Sequence, residues 1–183
     1  MSGREKLCQA VRLIAWGHIL LYLHFNLETI DILPDWLGYV LMLRALPALS
    51  EEESSANLLK PLGIALAVWE GFMWIAALLG IDTSVGVVTV ISYVITVVSM
   101  YFHFQLLTNL ASAAEKYNCE HSGKILLLRT VNTILILVLA LPFPWDKAEA
   151  ATIILLVAMA IVTIWKCFVL FSVKKELEGM ISE

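Results

Sequence analysis

One carboxylate, that of Glu70, interrupts the apolar stretch LGIALAVWEGFMWIAALLG at residues 62–80. A carboxylate is costly to bury in such a segment, so it must be paired, protonated or facing water. Trp69 precedes it directly, and Trp74 follows it by one helical turn. A carboxylate beside aromatic faces is chemically suited to an organic cation. The alternative is that both tryptophans fill space between helices or face lipid.

Arg44 is the predicted partner of Glu70. Counted along adjacent antiparallel helices, Arg44 lies about 9 Å above Ser50, and Glu70 about 13 Å above Pro61. The two charges are therefore expected at similar depth, as a buried ion pair. Such a pair either belongs to a binding site or only fixes how the helices pack.

Two polar stripes run along other apolar segments. His18, Tyr22 and Asn26 recur at four-residue spacing, which places them on one helical face. The second stripe comprises Thr89, Ser92, Thr96, Ser99 and His103. These residues alternate at three- and four-residue spacing, so they also share one face. Hydroxyls at this spacing usually mark contacts between membrane helices, and a water-lined path is the alternative.

Together these groups predict one polar interior, in which the two imidazoles are able to relay protons near neutral pH. The predicted ligand-binding residues are Glu70, Arg44, His103, His18, Trp74 and Asn26.

An acidic cluster of Glu28, Asp31 and Asp35 follows the first stripe. Its oxygens suit cations at an entrance or a hard divalent ion, and a solvated loop is the alternative. The chain contains no nucleotide-binding glycine loop, metalloprotease helix motif or nucleophile elbow. No catalytic residue, metal site or cofactor is therefore predicted. A nucleic-acid partner is not expected either, because the basic residues form no patch beyond their topological bias.

Six apolar runs must position these side chains, at roughly 10–30, 32–49, 61–80, 85–110, 125–144 and 148–171. Each is long enough, or nearly so, to span about 30 Å of hydrocarbon as a helix. The chain is 60% hydrophobic, which exceeds the roughly 45–50% of soluble domains. The sequence predicts an all-α integral membrane bundle of six transmembrane helices, in a single domain over residues 1–183. That domain leaves no room for a soluble catalytic module.

Charge sets the expected orientation. With six spans and the N-terminus inside, eleven of the twelve Lys and Arg residues fall inside, Lys166 among them, and only Lys147 falls outside. If the second run only dipped into the membrane, eight would fall outside and four inside, which inverts the positive-inside rule. Cys8, Cys119 and Cys167 also fall near the inner side, where thiols stay reduced. We expect a multi-pass cell-membrane protein with both termini cytoplasmic.

A short internal similarity relates residues 22–29 (YLHFNLET) to residues 101–108 (YFHFQLLT). The first copy is expected to end helix 1 outside, and the second to end helix 4 inside, as in the inverted repeats of many transporters. Chance similarity between aromatic-rich segments is the alternative.

Three functional hypotheses follow from these patterns. The first is small-solute transport or substrate binding at a polar intramembrane site centred on Glu70, with a small molecule or ion as substrate. The second is an assembly or regulatory subunit that binds partner helices, in a homo-oligomer or with another membrane protein. The third is an intramembrane enzyme acting on a lipid. A solvent-reachable cavity containing Glu70 favours the first, and an outward-facing hydroxyl stripe favours the second.

Overall fold

The structure is a computed structural model that describes residues 2–22, 26–27, 30–31, 34–84, 86–141 and 148–182. The six helices are α1 (Gly3–Tyr22), α2 (Asp35–Glu52), α3 (Leu59–Leu78), α4 (Gly86–Lys116), α5 (Ser122–Ala140) and α6 (Glu149–Ser182). A 3-10 turn, Ser54–Leu58, precedes α3. Two two-residue strands, β1 (Asn26–Leu27) and β2 (Ile30–Asp31), pair antiparallel. The all-α prediction is confirmed.

Within the described residues, four helical segments are long and apolar enough to cross a membrane. They are Ser54–Leu78, Gly86–Lys116, Ser122–Ala140 and Glu149–Ile181. Helices α1 and α2 are not among them because charged residues occupy both. Arg4, Glu5, Lys6 and Arg12 lie in α1, and Asp35, Arg44, Glu51 and Glu52 lie in α2.

The helices pack as a closed ring. Each helix contacts the next along the chain, α6 returns to contact α1, and α2 also reaches α4 across the ring. This order lets all six helices present one face to a shared interior.

The apolar core lies at the end of the bundle that carries both chain termini. There Arg4 Nη1 on α1 donates to the carbonyl oxygen of Met180 on α6, 3.1 Å away. The fully buried side chains of this end include Leu7, Val11, Leu46, Leu49, Leu106, Leu110, Val173 and Leu177. The opposite halves of α3, α4, α5 and α6 leave many apolar side chains exposed, among them Val68, Val90, Leu137 and Ile154. Lipid tails are as apolar as leucine, so such surfaces suit a bilayer.

An acidic run at the end of α2 links three parts of the bundle. Glu51 pairs with Lys6 of α1 at 2.7 Å, and Glu53 pairs with Lys116 of α4 at 2.8 Å. Between them, Glu52 accepts a hydrogen bond of 2.7 Å from the hydroxyl of Tyr117. The three carboxylates therefore tie α2 to α1 and to the end of α4.

The helices do not coincide with the apolar runs of the sequence. Helix α1 ends at Tyr22 rather than near residue 30, and α6 continues to Ser182 rather than ending near residue 171. The chain breaks between α4 and α5 at residues 117–121, where Asn118 has a φ of 56°. Helix α5 ends at Ala140, two positions before Pro142 in the sequence, and a proline cannot continue a helix.

The described part of the first copy does not support the inverted-repeat hypothesis. Asn26–Leu27 of the first copy is extended, whereas the whole second copy lies inside helix α4. The other residues of the first copy, apart from Tyr22, lie outside the described residues.

Candidate functional site: an acidic cavity within the helix ring

A close approach between two glycines positions the inner part of the site. A Cβ atom on Gly17 would lie 2.8 Å from the carbonyl oxygen of Gly38, and a Cβ on Gly38 would lie 2.7 Å from that of Gly17. Only glycine therefore fits where α1 crosses α2. The next residue on each helix is His18 or Tyr39, so this contact brings both polar side chains into the interior.

A cavity of about 390 Å³ lies within the ring, and all six helices contribute to its wall. Glu70 and Trp69 of α3 line the cavity together with Asp35 and Tyr39 of α2. Ile136 of α5 and Met159 of α6 also line it. Asp35 is the first residue of α2, at the end of the bundle away from the termini. The cavity therefore runs from that end toward the interior, with two carboxylates in its wall.

Aromatic and imidazole groups form the inner end of the cavity. Tyr39 Oη lies 2.9 Å from Ser99 Oγ and 3.5 Å from His103 Nε2. The His103 ring lies 5.2 Å from the ring of His18, centroid to centroid. His18 Nδ1 donates to the carbonyl oxygen of Ile14 at 2.9 Å, which leaves its Nε2 as an acceptor in the neutral ring. His18, a predicted site residue, is thus fully buried behind His103.

The hydroxyl stripe of α4 forms part of the cavity wall. Ser92, Thr96, Ser99 and His103 all line the cavity, whereas Thr89 is exposed and does not. The hydroxyls of Ser92 and Thr96 donate to carbonyl oxygens one turn earlier, each at 2.9 Å. Most of this stripe therefore lies in the cavity wall, and one of its members, Ser99, also bonds to Tyr39 of α2.

Arg44 is a correction, because the structure does not bring it to Glu70. It is exposed and lines a different pocket, with Lys6, Gln9 and Leu13 of α1. Arg44 follows Tyr39 by five residues, or about 140° around a helix of 3.6 residues per turn. Similar depth along adjacent helices brings two charges together only when both also point toward the same space around their helix axes.

The structure describes the side chains of some of the remaining predicted site residues and not those of others. Asp35 lines the cavity, and Trp69 rather than Trp74 provides its indole wall, while Trp74 is half-buried elsewhere on α3. Glu28 lies outside the described residues, and for Asn26 and Asp31 only the backbone is described. The acidic cluster is thus represented in the described site by Asp35.

Lys166 is a candidate functional residue that the sequence analysis does not select. The charge bias assigns it to the inner side, and in the structure only 2% of its surface is exposed. Its Nζ lies 4.7 Å from the centroid of the Tyr22 ring, and Tyr22 lines the cavity. The sequence does mark Lys166 as a candidate, because it is the single charge within the apolar segment IVTIWKCFVLF of residues 161–171.

Within the described residues, no group of three or more His, Cys, Asp and Glu side chains is placed to hold a metal ion. An apolar groove of about 600 Å³ lies between α1 and α6, and it shares Tyr22 and Met159 with the acidic cavity.

No protein-family model, curated protein or solved structure matches this chain. Any function must therefore be argued from the cavity itself.

Proposed function

We propose that this chain is a membrane protein that binds a small organic cation in the acidic cavity and carries it across the bilayer. The observation that carries this proposal is the convergence of Glu70 and Asp35 with Tyr39, Trp69 and His103 around one space. Carboxylates and aromatic faces both attract organic cations. With Arg44 in a different pocket, the balance of charge in the cavity wall favours a cation over an anion.

The proposed arrangement is six membrane-spanning helices in the cell membrane, with both termini in the cytoplasm. Arg4 near the N-terminus contacts Met180 near the C-terminus, so both ends of the chain lie at the same end of the bundle. An even number of crossings requires this, because it returns the chain to its starting side. Without Lys166, ten of the remaining eleven basic residues still fall on the inner side of this arrangement. Helices α1 and α2 complete the bundle by packing against each other and against α6 and α3.

The position of the hydroxyl stripe favours solute binding over the partner-subunit hypothesis. A partner helix needs an outward-facing stripe, whereas four of the five stripe residues line the cavity. The hypothesis of an enzyme acting on a lipid stays a prediction.

The first experiment measures the thermal stability of the purified full-length protein in detergent. Tetramethylammonium is the probe, and neopentyl alcohol serves as a neutral molecule of similar shape. A ligand at about 100 times its Kd stabilises the folded state by about 2.7 kcal/mol. We expect tetramethylammonium to raise the melting temperature, in a concentration-dependent manner, where neopentyl alcohol does not.

The variants Glu70→Gln and Glu115→Gln locate the effect. Glu115 is exposed on α4 and does not line the cavity, so its variant should keep the response of the wild type. Glu70→Gln should fold but lose the stabilisation. An unchanged response in Glu70→Gln, or equal stabilisation by the neutral molecule, would contradict the proposed site.

A further inference from the structure

The interior behind the cavity holds an unusual set of polar atoms. Lys166 Nζ, His18 Nε2 and His103 Nδ1 are buried without a hydrogen-bond partner, and beside them the buried side chains of Asn132 and Thr163 interact with the Tyr22 hydroxyl. They come from α1, α4, α5 and α6, so no single helix explains them. Buried polar groups are normally hydrogen-bonded, and exceptions often mark a functional group or bound water.

Lys166 dominates this set because it carries a full charge. Among the described Lys and Arg residues, it is the only one that is buried. A buried ammonium is stable only when it is paired, well solvated by polar groups or converted to the neutral amine. Its contact with the face of Tyr22 gives partial compensation through cation–π attraction.

The surroundings of Lys166 connect it to the cavity. His18 and Tyr22 of α1 and Cys167 of α6 lie beside it, and its charge also acts on His103 of α4. On α5, Asn132 supplies a buried amide. The other titratable groups that line the described cavity are Tyr39 and Asp35 of α2 and Glu70 of α3. Tyr22 and His103 belong to both environments, since each lines the cavity and interacts with Lys166.

We propose that Lys166 is a proton-binding site coupled to the cavity, protonated when the cavity is empty and deprotonated when a cation occupies it. The proposal rests on the proposed function and adds its coupling ion. In the empty protein, the Lys166 ammonium offsets carboxylate charge in the same interior. A bound cation takes over that role, so the Lys166 ammonium becomes an excess buried charge. Lys166–NH₃⁺ then becomes Lys166–NH₂, and the released proton passes to water in the cavity. One cation enters for each proton that leaves.

The charge state of Lys166 can be observed directly by NMR of the full-length protein labelled at the lysine ε carbon. The Lys166 resonance is identified by its loss in Lys166→Met, or in Lys166→Arg if the methionine variant does not fold. The exposed Lys175 on the same helix, assigned with Lys175→Met, provides the control resonance.

At one fixed, mildly alkaline pH, three samples are compared: the empty wild type, the wild type saturated with tetramethylammonium and the empty Glu70→Gln variant. We expect Lys166 to have the ammonium chemical shift in the first sample and the neutral-amine shift in the other two. The Lys175 resonance should not move. Calorimetry in buffers of different ionisation enthalpy should also show release of about one proton per tetramethylammonium bound, and none in the Lys166 variant.

The outcomes separate this proposal from the proposed function. If tetramethylammonium stabilises the wild type but Lys166 keeps one charge state in all samples, the coupling is overturned and the cation site stands. If tetramethylammonium has no effect but Glu70→Gln still changes Lys166, the coupling stands and the cation site fails. If neither treatment changes Lys166, it is a structural lysine and the proposal is wrong.

Discussion

Gly17 and Gly38 control how closely α1 and α2 approach, and therefore where His18 and Tyr39 lie. Each glycine lies against the backbone carbonyl of the other, which cannot move aside as a flexible side chain can. Added volume at this crossing must separate the two helices. The same separation would displace the polar side chains that follow each glycine.

The first prediction concerns this contact. Gly17→Ala and Gly38→Ala should each lower the free energy of unfolding by about 1–3 kcal/mol, as overpacking does in other tightly packed interiors. Thermal unfolding of the purified variants measures the effect. The matched control is Gly123→Ala in α5, where an added Cβ would meet nothing within 4 Å. That variant should be neutral, or more stable by up to about 1 kcal/mol. Equal losses in all three variants would show that the crossing is not a tight contact.

At the scale of elements, the acidic run that ends α2 holds neighbouring helices together through paired carboxylates. Ion pairing with Lys116 and a hydrogen bond from Ser112 hold the pKa of Glu53 below the ordinary value of a glutamate. A lowered folded-state pKa means that the carboxylate stabilises the fold at pH values above its unfolded pKa. That stabilisation is lost as the pH falls through the folded-state value.

The second prediction is therefore a loss of stability on acidification that depends on Glu53. The melting temperature of the wild type should fall as the pH drops from neutral to below 4.5, and Glu53→Gln should show a smaller fall. At neutral pH the variant should already be less stable than the wild type. Glu120→Gln, an exposed carboxylate in the α4–α5 connection, is the control and should follow the wild type. Parallel pH curves for Glu53→Gln and the wild type would rule out this role for Glu53.

The elements also show how much the sequence predicts. The length and composition of the apolar runs predicted the all-helical class. The alternating three- and four-residue spacing on α4 predicted a shared face, and four of its five members line the cavity. Spacing within one segment determines which residues share a face, because helix geometry is local.

The positions of Arg44 and Lys166 depend on how separate helices pack against each other. Residue spacing within one helix does not determine that packing. Arg44 has a depth similar to that of Glu70, but its direction from the helix axis depends on how α2 is rotated against α1. Lys166 lies five residues before the end of its apolar run, where a lysine commonly snorkels to the membrane surface. Closure of the ring between α1 and α6 buries it instead.

At the scale of the whole molecule, the proposed orientation places the α3–α4 connection outside and the α4–α5 connection inside. The native cysteines are poor reporters of this arrangement. Cys119 is buried, and burial raises the pKa of its thiol to about 11, so little reactive thiolate is present at neutral pH. Introduced cysteines at exposed loop positions avoid the problem.

The third prediction uses Asp82→Cys and Glu120→Cys, each at an exposed position in one of these connections. A membrane-impermeant maleimide should label Asp82→Cys in intact cells. Glu120→Cys should react only after the membrane is opened. The unsubstituted chain, carried through both treatments, measures background labelling of the native thiols. The reverse pattern would invert the orientation, and labelling of both positions in intact cells would contradict the number of crossings.

The uneven burial along the bundle has a consequence for the membrane around it. At the end that carries the termini, protein side chains fill the interior, whereas at the other end α3 to α6 leave much of their apolar surface exposed. In the proposed membrane arrangement, acyl chains of one leaflet complete the outer shell around the mouth of the cavity. Bilayer thickness and chain unsaturation in that leaflet would then help to set the spacing of Asp35, Glu70 and the α4 hydroxyls. We therefore expect the proposed cation affinity to depend on the lipids as well as on the chain, and to differ between detergent micelles and bilayers of defined composition.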